Sequence, residues 1–96
     1  MQVITDAIQN RNLLQFSYHG NVRVVEPHLL GVHDGVTQLL SYQVGGYSRS
    51  GRIPEWRRFD VHEMVGLQVL SETFKGPRER NIFRNSEWDR IIAVVR

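Results

Sequence analysis

The chain contains no cysteine and a single lysine, Lys75, among its 96 residues. The first absence removes disulfide frameworks, thiolate metal centres and cysteine nucleophiles together. A domain of this size without such staples has to be held by packing alone, which suits a reducing cytoplasm. No apolar run approaches the length needed to span a bilayer, and the first residues lack the basic-then-apolar pattern of a signal segment. The glycines are too scattered to cradle a phosphate: Gly45-Gly46 and Gly51 fit neither glycine-rich nucleotide fingerprint. No Gly-x-Ser-x-Gly turn is present to present a nucleophile, so Ser17, His28 and Asp60 have no spacing that suggests a triad. The histidines, at 19, 28, 33 and 62, are scattered, and no metal site is drawn from them. The expectation is a single non-enzymatic cytoplasmic domain over 1–96, without catalytic residues, cofactor or metal.

What remains is ordinary in amount and uneven in placement. Hydrophobic residues make up 41% and charged residues 23%, which is enough for one core and speaks against wholesale disorder. Residues 1–46 carry two arginines against Asp6, Glu26 and Asp34, whereas 47–96 carry ten basic residues against seven acidic ones. Nearly all the basic residues are arginines, whose planar fork matches phosphate and carboxylate better than an ammonium does. They gather at 49, 52, 57 and 58 and again at 75, 78, 80 and 84.

Val3, Ile4, Ala7 and Ile8 share one face at helical spacing and predict a helix over 2–10, stopped by Asn10-Arg11-Asn12. The period then changes to two. Leu14, Phe16 and Tyr18 alternate with Gln15 and Ser17 as in a half-buried strand. A turn at 19–21 leads to a second strand over 22–31, in which Pro27 requires an edge or a bulge. Asp34-Gly35 is the best hairpin signal, followed by a third strand over 36–44. A breaker-rich loop over 45–54 precedes alternation at 56–61 and a fifth apolar stretch at 64–70. One helix and five short strands suggest a small mainly β domain, a five-stranded antiparallel barrel over about 13–71, because closure removes exposed edges. The tail, about 75–96, is read either as a helix over 87–95 capped by Asn85-Ser86 or as a β-branched strand at 91–95; the helix is slightly preferred.

Several segments taken together are similar to the WYL domain. They are Ile4 with Ala7-Ile8, Leu14-Gln15-Phe16-Ser17-Tyr18 and Arg23-Val24-Val25-Glu26-Pro27-His28-Leu29-Leu30. The likeness continues through 35–42, Arg57-Arg58-Phe59, and 65–70 with Phe74. It covers roughly residues 4–74, with Arg-x-Val-x-Pro-x-x-Leu and Arg-x-Phe as the more specific parts. It implies an Sm/SH3-like barrel behind a helix, in a regulator of transcription or defence that senses a nucleotide or single-stranded nucleic acid. The pocket so implied maps to Ser17, Tyr18, His28 and Arg57, with Arg23 a further candidate and Arg58 beside it. The resemblance also implies a DNA-binding domain or protein as a separate partner. The eponymous Trp-Tyr-Leu falls on Thr37-Gln38-Leu39, and the family's Phe-Arg-Leu-Asp-Arg-Ile reads Phe59-Asp60-Val61-His62-Glu63-Met64, which exchanges two arginines for acids.

Arg57 shares strand parity with Phe59 and Val61, so its charge needs a partner: Glu26, Glu63 or a ligand phosphate. A different class of function competes with the sensor, namely a protein-interaction or oligomerisation module whose pocket is not in use. Trp56, Trp88 and the run at 91–95 offer more large apolar surface than a small barrel hides, so a homo-oligomer with the tail at its interface is expected.

Overall fold

The structure is a computed structural model and describes residues 1–48, 51–78 and 87–96. Its elements are a helix, α1 (Gln2–Asn10), and six strands: β1 (Asn12–Tyr18), β2 (Asn21–His33), β3 (Val36–Gly46), β4 (Glu55–Asp60), β5 (Met64–Thr73) and β6 (Arg90–Val94). A 3-10 turn, Val61–Glu63, joins β4 to β5. No helix among the described residues is long and apolar enough to cross a membrane.

The helix buries Ile4, Ala7 and Ile8, the face that its apolar spacing marks out. It ends at Arg11, whose φ of 59° places it in the left-handed region. Arg11 then tethers distant chain, its guanidinium donating to the carbonyl of Lys75 at 3.2 Å and to that of Arg96.

All strand pairs are antiparallel, and the main path of the sheet runs β4-β3-β2-β1-β5. β6 lies off that path and pairs β2. The expected barrel is therefore corrected: the sheet stays open, and no ladder joins β4 to β5 among the described residues. The tail supplies what closure would have supplied. Its preferred helix is replaced by a strand over 90–94, as β-branched Ile91 and Val94 would favour; the proposed Asn85-Ser86 cap lies outside the described residues.

β2 spends one edge on two partners. Residues 21–25 pair β1 and residues 29–32 pair β6, while β3 runs along the other edge over 23–33. Pro27 lies between the two partners, and there β2 shifts register against β3, with His28 as the extra residue. A proline is tolerated at such a bulge because no continuous ladder asks for its missing N–H.

The bulge exchanges faces. Val25 and Leu30 look toward α1, in a core with Leu14, Phe16, Leu39, Phe59 and Val95. Leu29 and Leu40 look the other way and meet Trp88, with Trp56, Ile91 and Val94 packed alongside. Trp88 is buried, and Trp56, Ile91 and Ile92 are half-buried, so the apolar tail is largely consumed inside the chain. That removes the reason for placing it at an oligomer interface. The large apolar side chains left exposed include Val22, Val65 and Val69.

Gly31 makes the second core possible. A Cβ there would stand 2.7 Å from Trp88 Cε3 and 2.8 Å from the Arg90 carbonyl oxygen. Overpacking of this kind typically costs about 1–3 kcal/mol. Gly31→Ala is thus expected to lower the unfolding free energy by that amount, read as a lower urea midpoint with an unchanged slope; an unchanged midpoint would mean that Trp88 is not seated on Gly31.

Candidate anion-binding site

Strand parity carries a row of polar side chains onto the α1-side face, beyond the end of the helix. On β3 the inward positions read Leu39, Ser41, Gln43; on β4 they read Phe59, Arg57; on β2, Val25 and Arg23. Ser41 lies directly opposite Arg57, and Gln43 opposite Val25. Arg23 is only 4% exposed, and Ser41 and Gln43 are fully buried. A strand face that begins as hydrophobic core therefore ends as a buried polar floor.

Arg23 lies over aromatic rings, its Cζ 5.8 Å from the Tyr18 centroid and 5.9 Å from that of Phe59. Its Nη2 donates to the Tyr18 carbonyl at 3.3 Å. Burial lowers its pKa, and the positive charge of Arg57 lowers it further. The sheet register puts the two guanidiniums on one face. Among the described residues Arg23 has no carboxylate partner.

Arg57 is expected to find Glu26 or Glu63, and it finds neither. Its Nε stands 3.5 Å from Glu55 Oε1, an ionic contact without hydrogen-bond alignment, and its Nη2 donates to Ser48 Oγ at 3.4 Å. Glu26 is instead taken by Arg78 in a two-pronged pair at 2.6 and 2.9 Å, and Glu63 by Tyr18 and His19. Gln43 Nε2 donates to the carbonyls of Gly45 at 3.0 Å and Tyr47 at 2.8 Å, which pins the start of the loop after β3. Four buried atoms of this floor have no hydrogen-bond partner among the described residues: Arg23 Nε, Arg57 Nε, Ser41 Oγ and Gln43 Oε1. Buried polar atoms ordinarily find partners, so four together describe a surface shaped for something else to satisfy. A cavity of about 360 Å³ lined by His19, Asn21, Arg23 and Tyr47 opens beside it.

The six sequence candidates divide. Tyr18, Arg23 and Arg57 come together, with Arg23 more central than its rank in the sequence suggests. Ser17 has the opposite parity to Tyr18 and pairs Val22 and Val65, whose side chains are exposed. Arg58 also faces away, 4.8 Å over the Trp88 ring and bonded to Glu87 at 3.0 Å. Arg49 lies outside the described residues. Ser41 and Gln43 were not singled out, although polar residues two apart, continuing the parity of Leu39, were the signal that could have marked them.

His28 belongs to a separate buried cluster. Its ring stacks on Phe74 at 5.2 Å and meets Trp56 edge-on at 4.7 Å. Nδ1 lies 2.8 Å from the Glu26 carbonyl, which can only accept, and Nε2 lies 3.4 Å from the Arg78 amide, which can only donate. One neutral tautomer satisfies both. A larger cleft of about 630 Å³ lies along β6, lined by Ile91, Ala93 and Arg11 among others, but Arg11 is committed to two carbonyls. It offers less chemistry than the buried polar floor. Compared with protein-family models, curated proteins and solved structures, the chain matches none.

Burial lowers the His28 pKa below its ordinary value of 6.5, with only partial opposition from Glu26. The unfolded chain therefore binds the proton more readily, and the contribution of His28 is full above about pH 6.5 and lost as pH falls through and below it. Wild-type stability is expected to fall over that range by up to about 1.4 kcal/mol per pH unit from this residue. Chemical denaturation of His28→Gln should show a flatter profile; parallel curves would assign the pH dependence elsewhere.

Proposed function

We propose that the chain is a non-enzymatic regulatory ligand-binding domain of the WYL type, taking a nucleotide or single-stranded nucleic acid in transcriptional or defence regulation. One observation carries the reading: two guanidiniums, Arg23 and Arg57, share one face beside Ser41 Oγ and Gln43 Oε1, buried atoms with no partner among the described residues, and Arg23 has no carboxylate among those residues. Phosphate would satisfy the arginines, whose forks match its geometry. Ser41 and Gln43 add a hydroxyl and an amide acceptor, the groups that orient a polar ligand. The chain has one helix and six strands in an open sheet, where the resemblance implies a helix and a five-stranded barrel, so the reading rests on the arginine face.

A second reading, an interaction or oligomerisation module, is favoured by β5. Among the described residues that strand pairs only β1, and it exposes Val65 at 67% and Val69 at 47%. An open strand edge with apolar flanks is a template for another chain. A homo-oligomer would then form there, and a separate DNA-binding protein would be the regulatory partner.

Fluorescence anisotropy with a labelled single-stranded oligonucleotide, and calorimetry with a nucleoside triphosphate, test the site. Binding should weaken steeply as salt rises, because phosphate contacts release counterions. Arg57→Ala should cost about 1–3 kcal/mol of binding, the scale of a charged hydrogen bond. Arg58→Ala, on the other face, should bind as wild type. Folded Arg57→Ala and Arg23→Ala variants with undiminished affinity would overturn the assignment. Absence of binding together with a sedimenting dimer would favour the second reading.

A further inference from the structure

The connection between β4 and β5 carries chemistry that the arginine face does not use. Asp60 ends β4, and the 3-10 turn Val61–Glu63 follows it. The turn gathers what an extended strand would have dispersed: ligand-competent atoms of Asp60, His62 and Glu63 all lie within 4.8 Å of one another. Bonds of about 2.0–2.2 Å from a metal to imidazole nitrogen and carboxylate oxygen, set tetrahedrally, place two ligand atoms about 3.4 Å apart. Rotations that draw the donors together by about 1–1.5 Å would therefore close the three on one ion.

Two features separate this cluster from ordinary acidic surface. The first is its mixed donor set, since an imidazole beside two carboxylates suits first-row transition ions, whereas carboxylates alone suit harder ones. The second is its support. Gln38 Nε2 donates to Asp60 Oδ1 at 2.8 Å, and Gln38 Oε1 is itself buried without a partner. The Tyr18 hydroxyl accepts from the Asp60 amide at 3.0 Å and donates to Glu63 Oε2 at 3.3 Å. His19 Nε2 stands 2.9 Å from Glu63 Oε1, a second imidazole at the rim. Outer partners of this kind are what fix the direction of ligating carboxylates. No arginine or lysine pairs with Asp60 or Glu63 among the described residues. His62 is exposed at the turn, free to swing onto an ion.

We propose that Asp60, His62 and Glu63 form a site for one divalent transition metal ion of the Zn²⁺ or Mn²⁺ kind, with His19 positioned to join. The ion would lock the β4–β5 turn, the place where the sheet fails to close. This inference does not rest on the anion site, which it meets only at Tyr18 and His19.

Calorimetry on untagged, metal-stripped protein with Zn²⁺ and with Mn²⁺ tests it, and Mg²⁺ serves as the hard-ion comparison. The expected result is one equivalent of Zn²⁺ or Mn²⁺ bound, tighter than Mg²⁺, and a thermal midpoint that rises with the ion. His62→Ala should weaken binding at least about tenfold, the scale of losing one ligand-shell partner. Asp60→Asn should do the same, and both should keep the wild-type circular dichroism spectrum. Substitution with Co²⁺ gives an independent signature, a visible ligand-field band that His62→Ala alters. No saturable binding, or an unchanged isotherm in folded His62→Ala, would overturn the site and place any ion on another histidine.

Discussion

The bulge at Pro27-His28 is the constraint on which the rest of the fold depends. A thirteen-residue central strand with one apolar face could not serve two cores. The extra residue lets Val25 and Leu30 face α1 while Leu29 faces Trp88, and it bends the strand so that one edge can serve first β1 and then β6. His28 holds the bulge in place from both sides. Its ring nitrogens reach Glu26 and Arg78, and its own carbonyl accepts from the Val95 amide at 2.8 Å. The inserted residue thus ties the strand to the tail and to the segment after β5.

That arrangement also decides which arginine is neutralised. Glu26, on the outer face, is buried and claimed by Arg78, whose guanidinium also lies 4.4 Å from the Tyr42 ring centroid. Glu26 aligns with Tyr42 and Trp56, on the face opposite to Arg57, and so does not answer that charge. Arg57 is left with the less well aligned Glu55, and Arg23 has an aromatic floor in place of an acid. Burying two like charges opposes folding. Its retention on an otherwise well-satisfied sheet is consistent with a site shaped for an anion.

The elements with strong periodicity were legible in the chain. Helix α1, the strand at Leu14, Phe16 and Tyr18, the Asp34-Gly35 hairpin and the need for an edge or a bulge at Pro27 all follow from spacing and local sterics. The tail was not legible in the same way. The spacing of Trp88, Ile91, Ile92 and Val95 suits a helix as well as a strand, and the free edge of β2 beyond Pro27, which no local pattern reveals, decides for the strand. Closure failed as an expectation for a related reason: the β2 edge was covered by β6, and β4 and β5 remained apart. Of the site, Tyr18 and Arg57 could be named from parity and resemblance, but the partners of Arg57 depend on pairings between segments dozens of residues apart. Ser41 and Gln43 were hidden because β3 also carries Thr37, Gln38 and Tyr42, so polarity alone does not mark the two that face inward.

Between the arginines and the acidic turn stands Tyr18, and its position explains why two opposite charge clusters on one sheet do not cancel. The guanidinium of Arg23 lies over the ring, while Glu63 and the Asp60 amide meet the hydroxyl at the far end. Burial, reinforced by the charges of Asp60 and Glu63, raises the pKa of the phenol, so it stays neutral and keeps its proton for Glu63. Phe59 packs edge-on against Tyr18 at 4.9 Å and completes an apolar partition. Across this partition neither Arg23 nor Arg57 pairs with Asp60 or Glu63 among the described residues. One aromatic pair therefore holds the core and, by the same packing, keeps a cationic face and an anionic turn apart.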